Sequence, residues 1–286
     1  MKKLLFLVVF TSVLTVNSYG NEKIKCPDTI LKAPVSYFYC VYSDYHNHKY
    51  DEGIKKIKKA IEDLTPLYLN DKNQEVPNAV SKEGRLKDSK VYEALSDLHM
   101  LLGMFYYQKA LNMDNPSVSR RLYGKLQQKG KVNPFALFEL LELHAEKKVA
   151  PEFFSEEKAK RYKELLKELS LSEEEFNSLL SQIRKEVEKD EKLRFTLMQK
   201  ALEELQKAIK LNPKNAMAYY QLGNFYSGSL SESSPSGSGF SSAAEEAYYK
   251  AALLFKEKGD KEAVKEILKK LQLLNPKSKY LKELRS

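Results

Sequence analysis

Leu205–Tyr226 reads LQKAIKLNPKNAMAYYQLGNFY. Ala208 is followed five residues later by Pro213. Proline has no N–H with which to continue a helical ladder, so a helix ends there. Beyond the turn, Tyr219, Leu222, Gly223 and Tyr226 fall at spacings that share one helical face. Small residues at Ala208 and Gly223 let two helix backbones approach, and the large side chains fill the space beside them. The stretch predicts a helix, a proline turn and a second helix folded back on the first.

The same spacing recurs. Tyr248, Ala251, Ala252 and Phe255 repeat the bulky, small, small, aromatic order, Gly259-Asp260 makes a turn, and Ala263, Leu271 and Pro276 follow. Near the N-terminus, Tyr37, Cys40, Val41 and Asp44-Tyr45 approximate a first helix, with Gly53, Ile54 and Ala60 on a second that Pro66 closes. Leu102-Gly103 runs through Tyr107 into Ala110 and Pro116 with the turn missing, so 90–113 reads as one helix without a partner identifiable by motif.

This order of a bulky residue, Leu-Gly, an aromatic, a later Ala and a closing Pro resembles the tetratricopeptide (TPR) repeat. The resemblance is strong over 196–276 and degenerate over 34–66 and 92–116, where Val41 replaces the usual glycine. It implies an all-α fold of helical-hairpin repeats forming a short right-handed superhelix, with non-repeat helices in the middle. It also implies a protein-binding scaffold without catalysis.

The expected organisation is a signal peptide at 1–20, an N-terminal helical region at 21–116, a non-repeat helical middle at 117–195, and C-terminal repeats at 196–286. In the middle, Ser172 with Glu175 forms a capping box. The run from there to Leu211 holds neither glycine nor proline, which fits one long helix or two meeting near Asp190–Thr196. A Ser/Gly-rich insertion at 227–242 reads as flexible, either a passive surface loop or a lid over a bound partner.

Met1-Lys2-Lys3 followed by the apolar run Leu4–Val16 and small residues at Ser18 and Gly20 has the pattern of a cleaved secretory signal. Export to a periplasmic or extracellular location is therefore expected. The two cysteines, Cys26 and Cys40, are then expected to form one disulfide. The whole chain carries 48 Lys and Arg against 39 Asp and Glu. With Lys and Glu interleaved, most of this charge is the solvated side of amphipathic helices.

In stacked hairpins of this family the first helices line the concave face. The resemblance assigns to that groove Phe38 and Tyr42, then Met100, Met104 and Tyr107, then Tyr220 and Asn224, and last Tyr249 and Leu253. The expected partner is a protein or peptide docking apolar side chains between rings. Some relatives hold a peptide's terminal carboxylate with Lys and Asn here. Asn224 has the right type, but Tyr220 stands where a lysine is needed, which disfavours such a clamp.

Arg120, Arg121, Lys125, Lys129 and Lys131 form a run without acidic residues. As a patch it would attract an anionic membrane or an acidic envelope polymer, and an envelope-associated structural protein is the alternative reading. No nucleic acid is expected for an exported chain. Asp44, His46, His48 and Asp51 lie close together but at a turn, where polar residues belong in any case, and no metal or cofactor is expected. His99 and His144 read as packing residues. Nucleophile-elbow, zinc-protease and phosphate-loop motifs are missing, so no enzyme activity is expected.

Overall fold

The computed structural model describes residues 26–32, 34–72, 88–113, 117–130, 132–229 and 237–285. All regular structure among them is helical. The order is α1 (Pro34–His46), α2 (Tyr50–Lys72), α3 (Asp88–Asn112), α4 (Val118–Gln127), α5 (Pro134–Val149), a 3₁₀ turn (Pro151–Phe153), α6 (Glu156–Glu168), α7 (Glu173–Leu211), α8 (Ala216–Ser229), α9 (Gly237–Glu257), α10 (Lys261–Leu274) and α11 (Lys279–Arg285). The signal segment 1–20 lies outside the described residues.

The chain divides into two compact units. The described residues up to Lys109 together with those from Leu197 onward form the first, and those between Ala110 and Thr196 form the second. The N-terminal and C-terminal regions that the sequence separates thus belong to one compact unit.

In the first unit α1 packs on α2, and Cys26 is disulfide-bonded to Cys40, tying the segment before α1 to its middle. Pro66, expected to close its helix, lies inside α2 instead. A proline costs a helix one hydrogen bond and a steric clash, but packing of the flanking turns can carry it. Ile57, Ala60 and Leu64, on the turns before it, are fully buried.

The partner of α3 is the C-terminal part of α7. Gly103 sits so close to it that a Cβ there would come within 3.0 Å of the Ala201 carbonyl and 2.9 Å of Leu205. The helix pair is therefore completed by residues about one hundred positions downstream, with the second unit lying between them in sequence. The expected proline turn after Leu211 is present. Asn215 caps α8 by accepting the Ala218 N–H at 3.1 Å.

Behind α8 runs α9, and Tyr248 of α9 fills the space left by Gly223. A core of Ala244, Tyr248, Ala251, Ala252, Ile267 and Leu271 then joins α9 to α10, with Leu281 and Leu284 of α11 covering its end. Gly259, at φ +75°, ends α9 in the left-handed conformation that glycine tolerates, and Asp260 caps α10. Of the insertion at 227–242, residues 227–229 finish α8 and residues 237–242 begin α9. These nine positions are helical, and 230–236 lies outside the described residues.

The second unit is built from α4, α5, α6 and the first part of α7 around Leu122, Leu137, Leu140, Leu165, Phe176 and Ile183. Ser172 and Glu175 make the expected reciprocal box. The Ser172 N–H donates to Glu175 at 2.8 Å, and the Glu175 N–H donates to Ser172 Oγ at 3.1 Å. From that cap α7 runs unbroken to Leu211, which settles the one-or-two-helix question in favour of one.

Candidate functional site

Within the first unit, side chains from α1, α3, α8 and α10 enclose a groove of about 530 Å³. Helix α3 supplies Met104, Tyr107 and Gln108, while α8 supplies Tyr220, Gln221, Asn224 and the turn Ser227-Gly228. Tyr45 of α1 and Lys270 of α10 complete the lining.

The wall between α3 and α8 exists because a glycine stands opposite a tyrosine. A Cβ at Gly228 would meet the Tyr107 hydroxyl at 1.8 Å, so only glycine leaves room for that phenol. The Tyr107 ring packs on Phe225 at 5.3 Å, and its hydroxyl donates to the Asn224 carbonyl at 3.4 Å. Tyr45 holds its ring edge-on to Phe105 at 5.3 Å, and burial pushes its hydroxyl up to about 12, so it stays a neutral donor.

Asn224 is occupied from within. Its Oδ1 accepts the Tyr248 hydroxyl at 2.9 Å, and its Nδ2 donates to Gln221 Oε1 at 3.1 Å. Tyr220 is occupied too, donating to Glu266. Burial, then that carboxylate, pushes its hydroxyl well above the ordinary tyrosine range. Lys270 differs from both. Its ammonium lies 5.6 Å from the Tyr220 ring centre, and among the described residues it forms no hydrogen bond or ion pair.

Of the nine groove positions assigned from sequence, the structure gathers Met104, Tyr107, Tyr220 and Asn224 into this one lining. Met100, at 5% exposure, belongs to the core and is unavailable to a partner. Tyr42 is half-buried, and burial and the Asp97 charge raise its hydroxyl to about 12. Phe38 is half-buried outside the lining. Tyr249 stacks on Tyr280 of α11 at 4.4 Å, and Leu253 is exposed, and neither lines the groove.

Sequence reasoning missed Tyr45, Gln108, Gln221, Ser227, Gly228 and Lys270. The first-helix rule could not find Lys270, which comes from a second helix. Gln221 stands next to an assigned position, one residue from where the face was drawn.

The basic run in the second unit is not a free patch. Arg121 pairs with Asp190 at 2.5 Å and Lys125 with Glu186 at 2.8 Å, both acids coming from α7. The Lys125 hydrogen bond in turn holds Glu186 below the usual carboxylate range. Arg120 and Lys129 are exposed, and Lys131 lies outside the described residues. The acidic partners, remote in sequence, neutralise two of the five basic residues of the run. On the same unit α5 turns Phe135 and Phe138 outward, the former 82% exposed.

The Asp44-to-Asp51 cluster is spent on neighbours. Asp44 accepts Lys56 at 2.6 Å, His48 meets the Tyr50 hydroxyl at 2.8 Å, and Asp51 pairs with Lys109. No group of three or more metal-ligating side chains occurs among the described residues. His99 bonds Glu204 at 2.5 Å across the α3–α7 pair, and His144 sits in the second core against Tyr162 and Phe176. No described helix is long and apolar enough to cross a membrane.

Residues 198–228 match the family model of the TPR repeat. The match spans the end of α7, the proline turn and α8, the stretch that places Tyr220 and Asn224. TPR repeats are protein-interaction modules whose stacked helices present binding surfaces. Among curated proteins, none matches the chain.

Proposed function

We infer that this protein is an exported, non-catalytic TPR-like scaffold that holds a protein or peptide partner in the groove between α3 and α8. The observation that carries the reading is the groove itself. Met104, Tyr107 and Tyr220, remote in sequence, converge on one cavity of about 530 Å³, at a place where the chain matches a protein-interaction repeat. Rings offer contact area with little conformational entropy to lose, and the flexible Met104 thioether adapts its shape to what it meets, which suits apolar side chains of an extended or helical segment. Export is supported by the N-terminal sequence pattern and by the Cys26–Cys40 bond, a type of cross-link that persists in oxidising compartments. Non-catalytic binding is supported by the engagement of Tyr220 and Asn224 in internal hydrogen bonds, where they serve as walls. Pairing of Arg121 and Lys125 leaves the membrane or polymer reading with less free charge than the sequence promised.

The test is crosslinking and co-purification of the mature protein, wild type against the double variant Met104→Glu, Gln221→Arg. Both changes fill the groove with bulk and charge from half-buried positions without removing a core side chain. The expected outcome is loss of one defined partner with helicity and melting unchanged. Retention of every partner by a folded variant would sink the groove assignment.

A further inference from the structure

We propose that the groove selects a segment carrying an internal acidic side chain, with an apolar side chain seated on Met104 and Tyr107 and the carboxylate on Lys270. The proposal rests on the groove reading above and names the chemistry of its occupant.

The argument is one of charge complementarity. Among the described residues the lining contains one charged side chain, Lys270, and no carboxylate. The nearby acid that could neutralise it, Glu266, is one helical turn away on α10 and accepts the Tyr220 hydroxyl. No pair forms between Glu266 and Lys270 among the described residues, although their spacing would allow one. Lys270 is half-buried, its ammonium over the Tyr220 ring at 5.6 Å. That position holds the stem in place and leaves the ammonium's hydrogens available to a ligand. A half-buried cation without an anionic partner is stabilised by any carboxylate that reaches it, and a partner bringing a second cation is repelled.

The carboxylate is that of a side chain rather than a chain terminus. The two kinds of carboxylate carry the same charge and the same two oxygens. They differ in the main chain beside them, which continues past a side-chain carboxylate and stops at a terminal one. The amide best placed to help, Asn224, already has its oxygen and its nitrogen engaged by Tyr248 and Gln221. Gln221 Nε2 remains committed only to the weak acceptor Met217 Sδ at 3.5 Å, so it can turn to a peptide carbonyl beside the acidic residue. One cation and one amide suit a side-chain carboxylate within a continuing chain.

The experiment uses an array of short peptides, acetylated and amidated at their ends, each carrying one Leu, Met or Phe and one Glu at varied spacing. Matched sets replace Glu with Gln or Lys, and a further set leaves the C-terminus free. The full mature protein is compared with Lys270→Met, Lys270→Glu and Met104→Glu by fluorescence anisotropy at low and high salt. Among the described residues Lys270 makes no hydrogen bond or ion pair, so its variants are expected to melt as wild type does. The expected result is a Glu preference over Gln of about tenfold that high salt and Lys270→Met both abolish, and that Lys270→Glu reverses toward Lys. Equal binding of Glu, Gln and Lys peptides, still blocked by Met104→Glu, would overturn the acidic assignment and leave the groove standing. A strict requirement for the free C-terminus would overturn the side-chain source. Binding by none of the peptides would count against the groove and the proposal together.

Discussion

The Ser96 hydroxyl donates to the carbonyl of Ala208 at 2.8 Å, although 112 residues separate them. Ser96 is fully buried on α3, and Ala208 is the small residue near the end of α7 where a repeat of this type packs closest. Asn215 extends the link, donating from Nδ2 to Ser96 Oγ and to Asp97 Oδ1, each at 2.9 Å. Three polar side chains thereby fasten the proline turn to the helix it packs against. A buried network of this kind stabilises only while every member is satisfied.

Asn215→Ala should therefore cost more than a cap. It removes the acceptor for the Ala218 N–H and leaves Ser96 and Asp97 short of a donor in a buried site. A loss of about 2–3 kcal/mol is expected. Ser96→Ala leaves one main-chain carbonyl without this donor and should cost about 1 kcal/mol. Urea unfolding of the two variants checks the order, and an Asn215→Ala effect no larger than that of Ser96→Ala would count against the network.

Asp97 makes the same joint sensitive to pH. Burial raises its carboxyl from the ordinary 3.8 to about 7, against the lowering effect of Asn215 and Lys258. A folded value above the unfolded one means that folding favours the protonated acid. Stability from this group is complete below about pH 4 and declines as pH rises toward 7. Each unit of separation is worth about 1.4 kcal/mol, which makes a loss of a few kcal/mol an upper bound. Asp97→Asn should flatten that stretch of the stability–pH curve and be the more stable protein above pH 7. A wild-type curve that rises between pH 4 and 7, with no change in slope in the variant, would contradict the assignment.

Helix content, the proline turn, the capping box at Ser172 and the close approach at Gly223 were legible because each depends on residues a few positions apart. What local pattern could not reveal was pairing over distance. The partner of α3 carries its half of the motif at Ala201, Leu205 and Ala208, where it read as part of the following repeat. The same limit divides the candidate site. Met104, Tyr107, Tyr220 and Asn224 followed from the first-helix rule. Met100, one turn earlier on α3, obeys that rule and is still buried, because the rule places a face and not its depth. Lys270 and the acids facing Arg121 and Lys125 arrive from other elements, and only the folded chain brings them in.

Gly223 tests how tightly that repeat is packed. A Cβ on it would lie 2.6 Å from the Tyr248 ring, and Tyr248 is itself held by Asn224. The ring cannot move away without giving up that bond. Gly223→Ala should destabilise by about 1–3 kcal/mol despite alanine's better helix propensity. Adding Tyr248→Leu should recover part of the loss. Thermal melts of the single and double variants decide this, and a Gly223→Ala protein as stable as wild type would show that the helices have room to spare.

The disulfide should matter mainly to the first hairpin. Cys26 and Cys40 are 14 residues apart, and closing a loop of that size is worth about 3 kcal/mol in the chain-entropy treatment. Reduction, or Cys26→Ser with Cys40→Ser, should lower the melting temperature and weaken hydrogen-exchange protection in α1 first. Equal loss of protection in α9 and α10 would mean that the bond supports the whole unit instead.

His144 gives the second unit an opposite response to acid. The ring is 4% exposed, its Nδ1 meets the Tyr162 hydroxyl at 3.2 Å, and its Nε2 has no partner among the described residues. Burial lowers its pKa first, with Lys148, Arg184 and Lys147 adding to the effect and Glu173 opposing it. A folded value below the ordinary 6.5 means that stability is full above about pH 6.5 and is lost as pH falls through the folded value. Protonation would place a charge in an apolar core with one N–H unsatisfied. Amide protection in α5 and α6 should therefore weaken on mild acidification while the α8–α9 pair keeps its own, and His144→Gln should remove that difference. If α5 and α6 stay fully protected down to the pH at which the whole chain unfolds, His144 is not the group that limits this unit in acid.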